Sequence, residues 1–395
     1  MSDRFGRLVP QGNMAARTQK ETAMPARQVK GRKVRYAVVG GGWISQAAFM
    51  PGVGQTKNSE MTALVTGDPV KAEKLAALYG LKSYHYDDYA QLLASDEIDA
   101  IYLALPNDQH EKFAVPALEA GIHVLLEKPM AVSTSQCEAI NTAAKASGAK
   151  LLIAYRLHFE PGTLEAIRRV RSGEFGEIRS FVSNFSQFVS PSNHRAKHGY
   201  WAGPVTDMGP YPLNAVRNLF GAEPVEVSAL GIRTPGSGME FDDTVAVTLR
   251  FPEERLAQFI VSYTGASTGT YRVTGTKGDL YVESAYGFGP GVSPKHIATV
   301  EGETNTREFP VVDQFAGETD YFSDCILNDR DPEPGGEEGL LDVRVLEAIE
   351  RALETGQPQT LPPARRSRPI DPDQGREFPL AETPDLIDAK EPGGG

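Results

Sequence analysis

The stretch "VRYAVVGGGWIS", residues 34–45, decides the fold. An unbroken apolar run is the mark of a strand buried on both faces. It ends in three glycines and passes straight into a short helical segment, expected to stop at Pro51. Gly40 and Gly42 take the first two places of a G-x-G-x-x-G turn, and Ser45 takes the third. The first glycine permits a tight turn, and the second lets the backbone approach a pyrophosphate. Such a turn carries weight only between a first strand and a first helix of repeated βα units.

That context is present. Strand patterns at 61–67, 98–106, "IHVLLE" (122–127) and 150–156 alternate with helical ones at 68–80, 109–121 and 133–148. Asp68 is a natural N-cap, with Pro69 in the first turn and Gly80 beyond the end. Alternation of this kind predicts a parallel α/β sheet over 34–155. A helix at 161–173 follows, and then short strand-like segments at 225–234, 244–251, 256–265, 270–278 and 279–284. They predict a second, α+β domain over 156–356 with a large open, mainly antiparallel sheet, closed by a helix at 337–356. No internal repeat is found.

The ends differ from the body. Residues 1–33 carry eight Lys and Arg against Asp3 and Glu21, a basic arm on a chain of net charge −12. The arm reads either as a solvated terminus or as a segment lying over an anionic cofactor or a neighbouring subunit. Residues 357–395 are rich in proline and mixed charge and predict an extended tail, mobile at its glycine end. The acidic balance argues against nucleic-acid binding. No apolar run approaches a membrane span, and the first thirty residues show no apolar core of a secretory signal. With only Cys137 and Cys325, a disulfide scaffold is excluded, and a cytoplasmic, reducing setting is expected. No His, Cys or Asp cluster has metal-ligand spacing, so no metal is predicted.

The second strand bears on the cofactor. Enzymes that use NAD usually place an acid at its end, on the ribose hydroxyls. Here that end reads "LVTGDPVK", with Thr66 in the acid's place and Asp68 better used as a cap. Thr66 can bond a phosphate, and Lys71, one helical turn on, offers charge unless it is only a solvated helix lysine. The pair favours NADP.

Three stretches together, "VVGGGWIS", "LPNDQH" (105–110) and "LLEKPMAV" (125–132), resemble the Gfo/Idh/MocA oxidoreductases. "YRLHFEP" (155–161) and "DMGPYPLNAVRNLFG" (207–221) resemble the glucose–fructose oxidoreductase branch in particular. The resemblance implies a Rossmann domain and a sheet domain that forms homodimers or homotetramers. It also implies hydride transfer between nicotinamide C4 and an aldose or ketose carbon, with NADP held tightly enough to be recycled internally, and an N-terminal arm that helps to cover it. An ordinary dehydrogenase or reductase that exchanges NADP freely is the alternative, and a non-catalytic sensor a further one.

Carried over residue by residue, it implies cofactor contacts from Gly40, Gly41, Gly42, Trp43 and Ile44, from Thr66 and Lys71, and from Leu105, Pro106, Asn107 and His110. Glu127, Lys128 and Arg156 complete the set, with Arg195 of "NHRAKHG" (193–199) standing where relatives carry a tryptophan–arginine pair. Relatives also carry "AGGG" before the aspartate, where this chain has "YWAGPVTD" (200–207). The catalytic set is Lys128, Tyr211 and Asp207, with a cis bond expected before Pro129. Free tyrosine and lysine both titrate near 10, too high for a base at neutral pH. A lysine cation beside a tyrosine favours phenolate. Tyr211 is therefore read as the general acid/base, Lys128 as the hydrogen-bond donor to the reacting oxygen, and Asp207 as the residue that orients the substrate and Lys128 or Tyr211. The reverse, with Lys128 carrying the proton, stays open. His158 is a further residue that could line the cleft.

Overall fold

The computed structural model describes residues 23–382 and 384–393. Six strands, β1 (Val34–Val39), β2 (Ser59–Val65), β3 (Lys82–Tyr84), β4 (Ala100–Leu103), β5 (His123–Glu127) and β6 (Leu151–Ala154), form a parallel sheet in the order β3-β2-β1-β4-β5-β6. Alternate side chains enter opposite cores. Ala37, Val39, Ile101, Leu103, Val124 and Leu126 pack with Phe113, Cys137 and Ile140 on one face. Tyr36, Val38, Leu64, Tyr102 and Leu125 pack with Phe49, Met50 and Leu75 on the other. That second face is also covered by Phe322 and Cys325 of a helix, Gln314–Leu327, which the sequence reading did not single out. It belongs to the later part of the chain and returns to the first sheet.

The capped helices form as expected. Asp68 accepts from the backbone N–H of Val70 and Lys71 to start Pro69–Tyr79, and Gly80 ends it in the left-handed region. Ser133 and Gly148 bracket Thr134–Ser147 in the same way. Pro51 does not stop the first helix. The chain runs through a turn at Ser45–Phe49 into Met50–Val53, with Pro51 at the start of the second piece, where its missing N–H costs nothing.

The second sheet has nine strands: β7 (Ile178–Ser186), β8 (Glu226–Ile232), β9 (Thr244–Phe251), β10 (Arg255–Ser262), β11 (Thr268–Gly275), β12 (Gly278–Glu283), β13 (Lys295–Val300), β14 (Glu303–Glu308) and β15 (Gln359–Thr360). Their order is β14-β13-β12-β11-β7-β10-β9-β8-β15. The β7–β10 pairing is parallel and the others antiparallel, so the sheet is mixed but mostly antiparallel. One face packs Phe181, Val247, Phe259 and Val273 against helices Pro161–Arg171, Pro210–Phe220 and Gly336–Thr355. The other exposes Val182, Leu230, Ile232, Leu256 and Ile260.

The N-terminal end departs from expectation where it is described. Residues 23–33 do not reach the cofactor side. Met24 and Arg27 donate backbone N–H bonds to Glu119 O and Gly121 O, and the Arg27 guanidinium bonds Ile98 O and Leu93 O. Arg32 pairs with Asp99, just before β4. These partners lie where strands begin, opposite the ligand side; residues 1–22 of the expected arm lie outside the described residues. The tail is extended, as expected, but bound to the body: Arg366, Ile370 and Gln374 are buried. Its final Gly394 and Gly395 lie outside the described residues.

Candidate active site

A cleft of about 1730 Å³ opens at the C-terminal ends of β1, β2, β4 and β5 and is closed from the far side by the second sheet. It is large enough for a dinucleotide with a small polyol beside it.

The glycine turn forms its floor. Gly40 sits at φ +100°, and a Cβ there would lie 2.4 Å from Ala104 O, so only glycine fits. A Cβ on Gly42 would meet nothing within 4 Å, which leaves the approach to the turn clear. Ser45 Oγ donates to Gly40 O at 2.6 Å and steadies the loop. Gly41, Trp43 and Ile44 line the same wall, and the Trp43 indole N–H is buried without a partner. An open glycine cradle beside an unsatisfied donor fits a phosphate-bearing ligand.

Thr66 and Lys71 line one end of the cleft. The Thr66 hydroxyl accepts from Asp68 N–H at 3.2 Å. Asp68 spends one oxygen on its helix cap, and the other lies 3.6 Å from the Lys71 ammonium. Asp68, an acid at this end, is thus tied to its own helix. Leu105, Pro106 and Asn107 line the middle, where the Asn107 amide donates to Trp201 O at 2.6 Å and joins the two halves.

His110 is not in the cleft. It is fully buried, with Nδ1 3.0 Å from Pro129 O and Nε2 3.0 Å from Leu105 O, and it ties two cleft loops together from behind. Burial lowers its pKa. His158 likewise sits outside the main cleft, Nδ1 3.1 Å from Glu333 Oε1 and Nε2 2.7 Å from Asn214 Oδ1.

At the other end β5 delivers Lys128, and the bond to Pro129 is cis, as expected. Lys128 Nζ donates to Asp207 O at 2.6 Å and to Asp207 Oδ1 at 3.2 Å, and lies 4.9 Å from the centre of the Tyr211 ring. Burial disfavours the ammonium, but negative charge at Tyr211, Asp207 and Glu127 outweighs it and raises the Lys128 pKa. Asp207 Oδ2 accepts from the Tyr263 hydroxyl at 3.0 Å and pairs with Arg195 Nε at 3.1 Å. Burial works against this carboxylate too, yet Arg195 and Lys128 hold it well below the usual range.

Tyr211 has a different holder. Arg156 Nη2 donates to its hydroxyl at 3.1 Å, and the guanidinium carbon lies 4.9 Å from its ring centre. Arg156 is buried, is bonded also to Tyr286 O and Gln314 Oε1, and lines the cleft. Arg195 is committed to Asp207, at the Lys128 end of the cleft. Glu127 Oε1 accepts from the Tyr102 hydroxyl at 2.6 Å, and burial raises its pKa. Asp207 therefore bonds Lys128, and among the described contacts makes no bond to Tyr211.

Sequence reasoning missed Gln314 and Phe288, which line this end, the buried Tyr263, which bonds Asp207, and the tail residues Leu380, Ala381, Glu391 and Pro392, which also line the cleft. Tyr263 sits directly after β10 and could have been found only by asking what lies at strand ends; the tail carried no signal.

Residues 34–155 match the Gfo/Idh/MocA oxidoreductase family with its NAD-binding Rossmann fold, and residues 163–281 match the Gfo/Idh/MocA C-terminal domain. The chain is 31% identical over 331 residues to D-xylose 1-dehydrogenase [NADP(+)] of Haloarcula marismortui, covering 82% of this chain and 91% of that one. It is 29% identical over 324 residues to D-xylose 1-dehydrogenase (NADP(+)) 2 of Haloferax volcanii, covering 81% and 98%. The crystal structure of the aldose-aldose oxidoreductase from Caulobacter crescentus complexed with glycerol superimposes with a TM-score of 0.78 at 33% identity, over 84% of this chain and 100% of that one. With the glycine turn, the Lys128–Pro129 strand end and the open nine-stranded sheet already in place, these matches make the chain a member of the Gfo/Idh/MocA oxidoreductase family.

Proposed function

We propose that the protein is an NADP-dependent sugar oxidoreductase in which Lys128, Tyr211 and Asp207 handle the alcohol or carbonyl group. One observation carries this reading: a lysine cation gripped by both the backbone carbonyl and the carboxylate of Asp207, beside a tyrosine whose hydroxyl faces a second cation, Arg156. The nicotinamide, when bound, accepts or supplies the hydride at the sugar carbon. Lys128, with its raised pKa, stays protonated and donates a hydrogen bond to the reacting oxygen, stabilising negative charge as it develops. That leaves the proton to Tyr211, which takes it from the sugar hydroxyl in oxidation and returns it in reduction. Asp207 and Arg195 set the direction of the Lys128 ammonium.

The expected outcome is that Lys128→Ala and Tyr211→Phe each lower turnover by roughly 10²–10⁴. Binding of NADPH, read by its fluorescence, stays close to wild type. Wild-type rates in both variants would refute the assignment. The cofactor reading rests on Thr66, on Lys71 and on the NADP-linked names of the relatives. Thr66→Asp sets a carboxylate against the 2′-phosphate and should shift preference toward NAD by on the order of tenfold; unchanged selectivity in steady-state assays would remove Thr66 from that position.

Two finer readings differ in the fate of the cofactor. Internal recycling, with one aldose oxidised and another sugar reduced, is supported by the likeness to an aldose-aldose oxidoreductase. Free exchange is supported by the likeness to D-xylose 1-dehydrogenases. Absorbance spectra of freshly purified protein after gel filtration, with and without an aldose, separate them. The exposed row Val182, Leu230, Ile232, Leu256 and Ile260 supports pairing of two copies through the second sheet, checked by sedimentation.

A further inference from the structure

We infer that the C-terminal segment, described over 378–382 and 384–393, is a latch across the cleft, anchored on Gln46, and that its opening gates the release of NADP(H). The inference rests on the cofactor reading above and adds what controls exchange.

The course of the segment carries it. Asp313 N–H donates to Phe378 O at 2.9 Å, at the start of helix Gln314–Leu327. Leu380 and Ala381 then line the cleft. At Ile387 the chain meets the glycine-turn segment. Ile387 N–H donates to Gln46 Oε1 at 2.7 Å, and Gln46 Nε2 donates back to Ile387 O at 2.9 Å. The same Nε2 also donates to Gly41 O at 2.9 Å, so one buried amide ties the tail to the turn that faces the phosphates. Beyond it, Glu391 and Pro392 line the cleft again, and Ser190 N–H donates to Pro392 O at 3.0 Å in the loop after β7. The segment therefore starts at the head of the helix that covers the first sheet, meets that sheet's glycine turn, and ends beside the second sheet.

Its hold is local. Apart from the half-buried Ile387 against the core around Phe49, the crossing is held by main-chain bonds rather than by a large apolar face. Segments so held open at low cost without unfolding the body. It also lies beyond both family-domain matches, which end at residues 155 and 281.

The test uses full-length protein loaded with NADPH, its release followed by stopped-flow fluorescence during a chase with excess NADP⁺. Two variants break the latch: removal of residues 382–395, and Ile387→Pro, which removes the N–H that Gln46 accepts together with the Ile387 side chain's packing. Each should release NADPH roughly tenfold faster or more, the scale of losing one or two hydrogen-bond anchors. The melting temperature of the cofactor-free protein should hardly move. Should the truncated chain fail to fold, Ile387→Pro carries the test alone. Release at the wild-type rate by Ile387→Pro overturns the inference. A wild-type chain that binds no NADPH fails the cofactor reading itself and takes the latch with it.

Discussion

Two charged networks lie along one helix, Pro210–Phe220, and differ in what they leave open. At its start Tyr211 joins Lys128, Asp207, Arg195 and Arg156, and all five line the cleft. Further along, Arg217 is wholly buried, bonded to Glu223 at 2.5 Å and Glu338 at 3.0 Å, and paired with Asp342. Arg366 of the tail joins it through Glu223 and Glu338. Buried charge is tolerable only when paired, and losing one partner costs more than the pair contributes. The inner network directs its charge inward and locks the helix to Gly336–Thr355 and to the tail. The outer one satisfies each charge but keeps a face toward the cleft. The same chemistry thus serves as clamp in one place and as reaction surface in the other, and the difference is access.

That contrast can be broken at several points. Arg217→Met takes from the buried Asp342 its cation partner, leaves Glu338 to Arg366, and should cost about 3–5 kcal/mol in denaturant unfolding. A loss below about 1 kcal/mol, the value expected of a surface pair, would end the distinction. Tyr263→Phe removes one bond to Asp207 without touching the substrate side. Turnover should fall by about tenfold, and the melting temperature by only a few degrees, since a hydrogen bond to a charged group is worth roughly 1.5–3 kcal/mol and Arg195, which remains, holds the loss to the low end. A collapse in stability without a change in turnover would move Asp207 into the clamp.

The smallest effect is a trend with pH. Burial opposes the His158 imidazolium, but Glu333 outweighs it and raises the pKa above 6.5. A raised histidine contributes stability that is fully present below about pH 6.5 and is lost as pH climbs through the higher folded value. His158→Gln should flatten this decline in unfolding curves taken from pH 5.5 to 8.5. Parallel curves for the two proteins would show that the pair does not titrate in this range.

Much of the first domain was legible because its signals are local. Gly40 follows from one backbone angle and one close carbonyl. Asp68 and Gly80 declare a helix within thirteen residues, and "HVLLE" declares a strand whose end must face the ligand side. The EKP motif and the aspartate–tyrosine spacing marked Lys128, Asp207 and Tyr211 before any contact was known. The second sheet was only partly legible. Its central strand β7, "IRSFVSNFS", alternates with arginine, serine and asparagine, so its apolar content is half that of a doubly buried strand. Its parallel pairing with β10 is a property of neither strand alone.

The division of labour at the site belongs to tertiary structure. The sequence by itself determined which residue types reach the cleft, glycines at the turn and a lysine and a proline at the end of β5, while the acid and the tyrosine on one loop-helix segment were marked by the family resemblance. It did so because backbone geometry and strand direction act over a few residues. Only the tertiary structure decided that Asp207 grips Lys128 while Arg156 grips Tyr211, that His110 lies behind the cleft, that the basic segment 23–33 lies at the far edge, and that the proline-rich tail comes to rest on Gln46. Those choices depend on partners up to 341 positions apart. Such pairings leave no trace in local pattern, because a side chain's partner is chosen by the packing of whole elements.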